Sequence, residues 1–505
     1  MSLNIAIVGG GASCVSFIDN FIKECNNTEP LAICFLVIEK SEEIGPGNAY
    51  RNDIESNILN TKAENITIFR DSPGDFYKWL VCCENKWRVD FANLKVKRDS
   101  YLPRALFGIY MKDAFEKICK HAHYSGFEIK RIKGEAVSID KLDEHEFVIS
   151  LSDGEEVYAN KIILACGNLN GKGKDYSKDG DFMTTPFPTK FLPKKIMPYD
   201  NVGIVGSRLS AIDSVISLIE SGHRGKITLF SRSGNFPFVR GTQKRYKNLY
   251  LNRSFISSNF NVMDFKILHD LYNKEIDNYK KTKETQDGDD LPINFKPISS
   301  LASFLQREIN LSSGPRAWQA ILYDTNDCID LIWSMFSKKD KELFLASYFS
   351  NAMSMRVSIP RVNALKILDY IKSGQLSYVH GEINPSIFFK SGMCFHDGGS
   401  YLDKILYATG SPRYLDDCDS VLFSRLLEGK VISRNYLGGL NVCRSSYRII
   451  SDSGVINSSI FAIGEVTNGT FLFTSALDII TRHAKECARS LLELILSEVN
   501  EDGCI

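Results

Sequence analysis

The sequence predicts an α/β fold made of two parallel-sheet units, one of them discontinuous, with a helical insert. Three observations predict it. A short apolar run, a glycine turn and an apolar-striped helix follow one another at the N-terminus and again near residue 201. Apolar segments ending in Ala-x-Gly, or in glycine followed by an acid, recur at residues 158–167, 402–410 and 459–465. Between them, residues 262–272 carry the apolar period of a helix.

Residues 3–8 are a short, mostly apolar run with β-branched residues and lead into Gly9-Gly10-Gly11-Ala12-Ser13-Cys14; Val15, Phe17, Ile18, Phe21 and Ile22 then mark a helix. Gly9 permits the sharp turn. Gly11 lets a pyrophosphate approach the backbone at the helix N-terminus, where free N–H groups and the helix dipole favour anions. Cys14 stands at the third fingerprint position, small enough for helix and strand to pack. Residues 31–38 form a second apolar run that suits a buried parallel strand and ends in Glu39-Lys40. An acid there is placed to hydrogen-bond ribose hydroxyls. This is the pattern of a Rossmann-like dinucleotide site, with Gly9, Gly11, Ala12, Ser13, Glu39 and Lys40 as candidates.

The second unit begins at residues 201–206, a strand ending in Gly206 and followed by Ser207-Arg208-Leu209-Ser210-Ala211 and a helix that stops at Gly222. Residues 226–230 are its next strand, followed by Ser231-Arg232. Arg232 is of the type and in the place that meets the 2′-phosphate of NADPH. Gly206, Ser207, Arg208, Ser210 and Arg232 are the candidates. Arg208 replaces the second fingerprint glycine, so either it clamps phosphate or it closes the site.

Composition sets the outer bounds. The chain has 505 residues, 61 basic and 61 acidic, with 44% apolar and 24% charged side chains. The length suggests about three units. These values exclude a disordered chain, a collagen and a strongly charged binder. Zero net charge speaks against a nucleic-acid groove, which needs a basic surplus. No run reaches the ~18–20 apolar residues that span a bilayer, so no membrane partner and a cytoplasmic location are expected. The thirteen cysteines show no ligand spacing, which predicts reduced, mostly structural thiols and no metal site. His121, His123, His145 and His269 read as surface residues, and residues 276–290 as a solvated, charged helix end and loop.

The order of these motifs resembles the two-dinucleotide flavoproteins of the glutathione-reductase-like class. Ala165-Cys166-Gly167 and Ala408-Thr409-Gly410 match the Ala-Thr-Gly that follows a middle strand in that class, and Gly464-Glu465 its late Gly-Asp. The resemblance implies FAD in the first site and a nicotinamide nucleotide in the second. It adds Val137, Cys166, Gly167, Gly410, Gly464 and Glu465 to the cofactor candidates.

Further blocks are more specific. Residues 45–50 (Gly-Pro-Gly-Asn-Ala-Tyr), 57–69 leading to Trp79-Leu80, and 101–110 (Tyr-Leu-Pro-Arg-Ala-Leu-Phe-Gly-Ile-Tyr) resemble blocks of a large bacterial family of FAD/NAD(P)-binding proteins. Trp318-Gln319, residues 330–333, 341–344 and 355–360, and Gly464 to Gly469 with Thr474-Ser475 are similar to further blocks of it. Its relatives resemble FAD-dependent urate hydroxylase and an aspartate N-monooxygenase. The resemblance implies an NADPH-dependent monooxygenase that hydroxylates an amino acid, amine or heterocycle with O₂ through a flavin C4a-peroxide. It places Tyr50, Asn60, Thr61, Thr474 and Ser475 around the flavin. Asn60 and Arg104 are the catalytic candidates, Arg104 to hold a substrate carboxylate or a phosphate. An FAD oxidase or dehydrogenase with a closed nicotinamide site, and a non-catalytic flavin-binding partner protein, are the alternatives.

The expected organisation is an FAD domain at 1–195 and 365–505, an NAD(P)-like domain at 196–240 and 350–364, and a helical insert at 241–349. That insert is a candidate cap or homodimer surface.

Overall fold

The computed structural model describes residues 3–26, 31–172, 182–283, 291–292, 296–381, 394–395 and 401–502. The acidic end of the charged stretch, from residue 284 to 290, lies outside them. In chain order the first strands are β1 (Leu3–Val8), β2 (Ile33–Glu39), β3 (Glu128–Lys133), β4 (Ala136–Lys141), β5 (Phe147–Leu151), β6 (Glu156–Ala159) and β7 (Lys161–Leu164). Then come β8 (Phe182–Met183), β9 (Val202–Val205), β10 (Ile227–Ser231), β11 (Leu376–His380), β12 (Cys394–Phe395), β13 (Tyr401–Leu402) and β14 (Lys404–Tyr407). The last are β15 (Arg448–Ile450) and β16 (Ile456–Ala462).

The chain divides into two units, the first comprising Met1–Asn52, Thr61–Leu169 and Ser411–Ile505, the second Asp53–Asn60 and Asn170–Gly410. The main sheet of the first unit runs β15-β16-β7-β1-β2-β3, parallel except for the β15 edge. β2 is buried along its whole length, as expected of a strand covered on both faces. Helix α1 (Ala12–Cys25) buries Val15, Phe17, Ile18, Phe21 and Ile22, and Phe21 meets Phe35 of β2 edge-on. Next in the chain come α2 (Asp75–Cys82) and α3 (Arg104–Tyr124). Strands β4, β5 and β6 form a separate antiparallel sheet.

The second unit has a five-stranded parallel sheet, β11-β10-β9-β14-β8. Helices α4 (Leu192–Lys195) and α5 (Leu209–Glu220) flank β9, and α5 buries Ile212, Val215, Ile216 and Leu218 in the apolar core. The expected helical insert is helical and runs past its expected end at 349, into residues expected in the NAD(P)-like domain. It consists of α6 (Arg253–Asn259), α7 (Phe265–Lys283), α8 (Leu301–Leu311), α9 (Ala317–Asp324), α10 (Ile329–Met335), α11 (Lys338–Leu343) and α12 (Phe349–Arg356). Glu308 and Arg316 form an ion pair of 2.5 Å with both side chains buried, and α13 (Arg361–Lys372) leads into β11.

Sheet pairing moves the expected domain boundaries. β8 and β11 belong to the second sheet, and β14 pairs with both β8 and β9 there. Residues 170–195 and 365–410 therefore fall in the second unit, not with the first sheet. The Ala-Thr-Gly motif at 408–410 ends a strand that stands to β9 as β7 stands to β1. One short apolar strand resembles another, and only the hydrogen-bonded partner decides its sheet. The first unit resumes with α14 (Val421–Glu428) and ends with α15 (Asn468–Phe471) and α16 (Leu477–Asp502), which packs along α1.

Candidate functional site

Each sheet has a switch point beside its first strand. In the first unit the chain runs β1-β2-β3 in one direction and returns to β7 on the other side of β1. In the second it runs β9-β10-β11 and returns to β14 on the other side of β9. Ligands of such sheets bind outside the carboxyl ends of the strands at this point.

The first switch point is lined by the glycines read from the sequence. Gly9 has φ +106°, and a β-carbon there would overlap the Ala165 carbonyl, with its carbon only 2.8 Å away. Gly11 differs. It is the N-cap of α1 in extended geometry with no side-chain cap, and a β-carbon on it would meet only Gly47 Cα, at 3.6 Å. Gly47 arrives because the Gly45 N–H donates to the Gly10 carbonyl at 2.7 Å. Two glycines thus pack against each other beside an uncapped helix N-terminus, whose free N–H groups suit a pyrophosphate.

Glu39 closes the β2 end. Its Oε2 accepts from the Gly10 N–H at 2.8 Å, and Oε1 accepts from the Ser41 N–H at 3.0 Å. The predicted ribose ligand therefore also holds the phosphate turn. Lys40 is exposed and lies 3.9 Å from Glu135. Cys166 lies at the β7 end, where burial and then Glu39 push its thiol up to about 12; Gly167 follows at φ +65°. Val137 lies on β4, at the irregular register against β5.

The late motif joins this turn. A β-carbon on Gly464 would meet Ser13 Oγ at 3.1 Å. Glu465 Oε2 accepts from Thr474 Oγ1 at 2.8 Å. Burial raises the Glu465 carboxyl, against the lowering effect of Thr474, Asn468 and Arg413. Arg413 donates to the carbonyls of Leu437 at 2.6 Å and Asn468 at 3.2 Å. Ser475, in contrast, is exposed. Sequence reasoning missed Arg413 and Asn468; the latter stands inside the Gly-Glu-Val-Thr-Asn-Gly block, but the only signal for Arg413 is its place three residues after Gly410.

Tyr50 packs its ring edge-on against Phe107 of α3 at 4.6 Å. Gly108 makes room for it, since any β-carbon there would overlap the Tyr50 carbonyl. Arg104 is the first residue of α3, after Pro103 at the cap, and its charge opposes the rise that burial imposes on the Tyr50 phenol. Thr61 belongs to the first unit and Asn60 to the second.

The second switch point repeats the first. Gly206 has φ +130°, and a β-carbon on it would meet the Ala408 carbonyl oxygen at 2.5 Å. Gly410 has φ +78°, matching Gly167. Arg208 takes the place of Gly11 as the helix N-cap, with φ −100° and ψ −161° against −87° and −162°. Its backbone has no need of glycine; only its side chain differs. That side chain leaves the turn for α12, where Nη2 donates to Ser350 Oγ at 3.2 Å. Ser207 Oγ donates to the Asn235 carbonyl at 2.7 Å, and the Ser210 carbonyl accepts from Ser214 Oγ. Arg232 is exposed at the β10 end.

Three other arginines are engaged with partners of their own. Arg240 stacks on Tyr323 at 4.2 Å, Arg356 donates to Thr325 Oγ1 at 3.1 Å, and Arg361 Nε lies 3.5 Å from the Ile309 carbonyl. His121, His123, His145 and His269 are exposed, as expected. Among the described residues no His/Cys/Asp/Glu group is arranged to hold a metal ion, and no helix is long and apolar enough to cross a membrane.

Residues 6–169 match the model of a family described as FAD-NAD(P)-binding. No curated protein matches the chain. Among solved structures, ornithine hydroxylase from Pseudomonas aeruginosa is similar with a TM-score of 0.55 at 16% identity, covering 98% of this chain and 100% of that one. L-lysine 6-monooxygenase from Pseudomonas syringae has a TM-score of 0.54 at 13% identity, with 98% and 100% covered. Ornithine N-hydroxylase from Kutzneria sp. 744 has 0.53 at 13%, with 98% and 99% covered. At these identities the likeness is one of fold. Residues 6–169 are therefore an FAD-NAD(P)-binding domain, set in a chain that shares the fold of these amino-acid hydroxylases.

Proposed function

We propose that the chain is an FAD-dependent, NADPH-using monooxygenase that hydroxylates a small molecule, with an amine nitrogen of an amino acid or related compound as the favoured target. The observation that carries this reading is the pair of matching switch points. Both have a tight glycine pressed on a neighbouring strand end and an extended helix N-cap. One has Gly11 at its cap with Gly47 packed against it, the other carries Arg208 and Arg232. The fold shared with ornithine and lysine hydroxylases supports the choice of reaction.

In this reading Gly11, Ser13 and the first turn of α1 hold the FAD pyrophosphate, and Glu39 holds the ribose while bracing Gly10. Bound FAD supplies two-electron redox chemistry with NADPH as reductant and O₂ as oxidant. Thr474 positions Glu465 through its hydroxyl. Tyr50, Asn60, Thr61 and Ser475 are assigned to the flavin surroundings, and Arg104 to a substrate carboxylate. An amine must be neutral to react, so the site has to desolvate it or take its proton.

Anaerobic titration of the FAD-loaded protein with NADPH tests the proposal. Bleaching of the flavin band by NADPH is expected, with NADPH oxidation in air accelerated by some member of a panel of amino acids and diamines. Bleaching by an amino acid but not by NADPH would replace the reading with an oxidase or dehydrogenase. Bleaching by neither would leave a flavin-binding partner protein.

A further inference from the structure

The fingerprint position of the second unit holds an arginine, and the structure shows where its charge goes. Arg208 Nη2 reaches Ser350 Oγ at 3.2 Å, and that hydroxyl donates to Ser233 Oγ at 2.8 Å and accepts from Asn235 Nδ2 at 3.3 Å. Ser233 follows Arg232 directly, so the guanidinium of a residue at the end of β9 is delivered to the loop at the end of β10. In a dinucleotide-binding βαβ unit that loop faces the adenosine ribose. Among the described residues Arg208 makes no ion pair; its hydrogen-bond partners are the Ser350 carbonyl and hydroxyl. Burial and then the charge of Arg232 pull its guanidinium below the ordinary value. Two cations thus stand at the same loop, Arg208 through Ser350 and Ser233 and Arg232 beside Ser233, where a doubly charged ligand relieves their repulsion.

We infer that Arg208 and Arg232 form a two-arginine clamp for a phosphate monoester, the 2′-phosphate of NADPH, with Ser350 of the helical insert positioning Arg208. This rests on the reading of the second unit as a nicotinamide nucleotide site. It assigns Arg208 a use other than obstruction: the side chain vacates the pyrophosphate turn and selects the phosphorylated nucleotide. It also gives the insert a specificity role, through one hydroxyl that no sequence motif marks.

The test compares 2′,5′-ADP with 5′-AMP by calorimetric titration of the full-length, FAD-loaded protein. Wild type is expected to prefer 2′,5′-ADP. A charged hydrogen bond is worth enough that Arg208→Gln should weaken 2′,5′-ADP by about ten- to a hundredfold, leave 5′-AMP unchanged and leave the flavin absorbance intact. Ser350→Ala should weaken 2′,5′-ADP by a smaller factor in the same direction. The clamp is overturned if Arg208→Gln leaves 2′,5′-ADP affinity within twofold, or if Arg208→Gly strengthens both nucleotides alike. A protein with an Arg208-dependent preference that NADPH does not bleach would keep the clamp and remove the electron-donor reading. A protein bleached equally by NADPH and NADH, with no effect of Arg208→Gln, would do the reverse.

Discussion

Gly9 and Gly11 stand two residues apart in one turn, yet the structure assigns them different work, and alanine at each should separate stability from cofactor binding. At Gly9 the backbone has φ +106° and a β-carbon would overlap the Ala165 carbonyl. A left-handed non-glycine residue costs of order 1–3 kcal/mol, and forced overpacking of this kind typically adds about 1–3 kcal/mol. Gly9→Ala should therefore lose roughly 2–6 kcal/mol of folding stability. At Gly11 φ is −87° and the new methyl would meet only Gly47 Cα at 3.6 Å. Replacing a glycine cap by alanine costs about 1 kcal/mol. The same methyl stands beside the helix N-terminus assigned to the pyrophosphate, so an overpacking cost of about 1–3 kcal/mol should appear in binding, about ten- to a hundredfold in the FAD dissociation constant. Urea unfolding of the apoprotein reads the first quantity, and flavin fluorescence titration the second. If Gly11→Ala binds FAD like wild type, or Gly9→Ala unfolds like wild type, the division of labour in this turn is refuted.

Three further outcomes follow from other sites. Burial raises the folded-state Glu465 carboxyl, so its charged form destabilises the fold progressively as pH rises from the unfolded value through the folded one. Scanning fluorimetry of apoprotein should show Glu465→Gln gaining on wild type as pH rises above the ordinary carboxylate range, and an unchanging difference would contradict this. Glu308→Ala strands the buried Arg316 and should cost about 3–5 kcal/mol in urea unfolding; a loss below 1 kcal/mol would mean the pair is not desolvated in solution. Against its burial, hydrogen bonds from Ser445 and Ser446 pull the Cys443 thiol down to about 7, so its iodoacetamide rate, followed by peptide mapping, should rise through a midpoint near that pH, with Ser445→Ala moving the midpoint upward.

Much of the fold was legible because local rules act on local sequence. Residues 5–8 and 33–38 carry no charged or amide side chain, as covered strands require, and Gly9 and Gly206 follow their strands where the turn demands a left-handed residue. Both dinucleotide turns could be placed this way. Sheet membership could not, and the strand before Gly410 went to the wrong one: β14 and β7 read alike, and the difference lies in hydrogen bonds to β9 and β1 across hundreds of residues. Arg208 is the sharper instance. By itself the sequence determined that a cation replaces a glycine at an anion-binding turn, which left both clamp and obstruction open. The tertiary structure decided the direction of the side chain, because Ser350 reaches the β10 end only after the helical insert has folded back to within 3.2 Å of the guanidinium. A residue's type follows from the chain, but the direction of a long, flexible side chain depends on whichever distant group accepts its hydrogen bond.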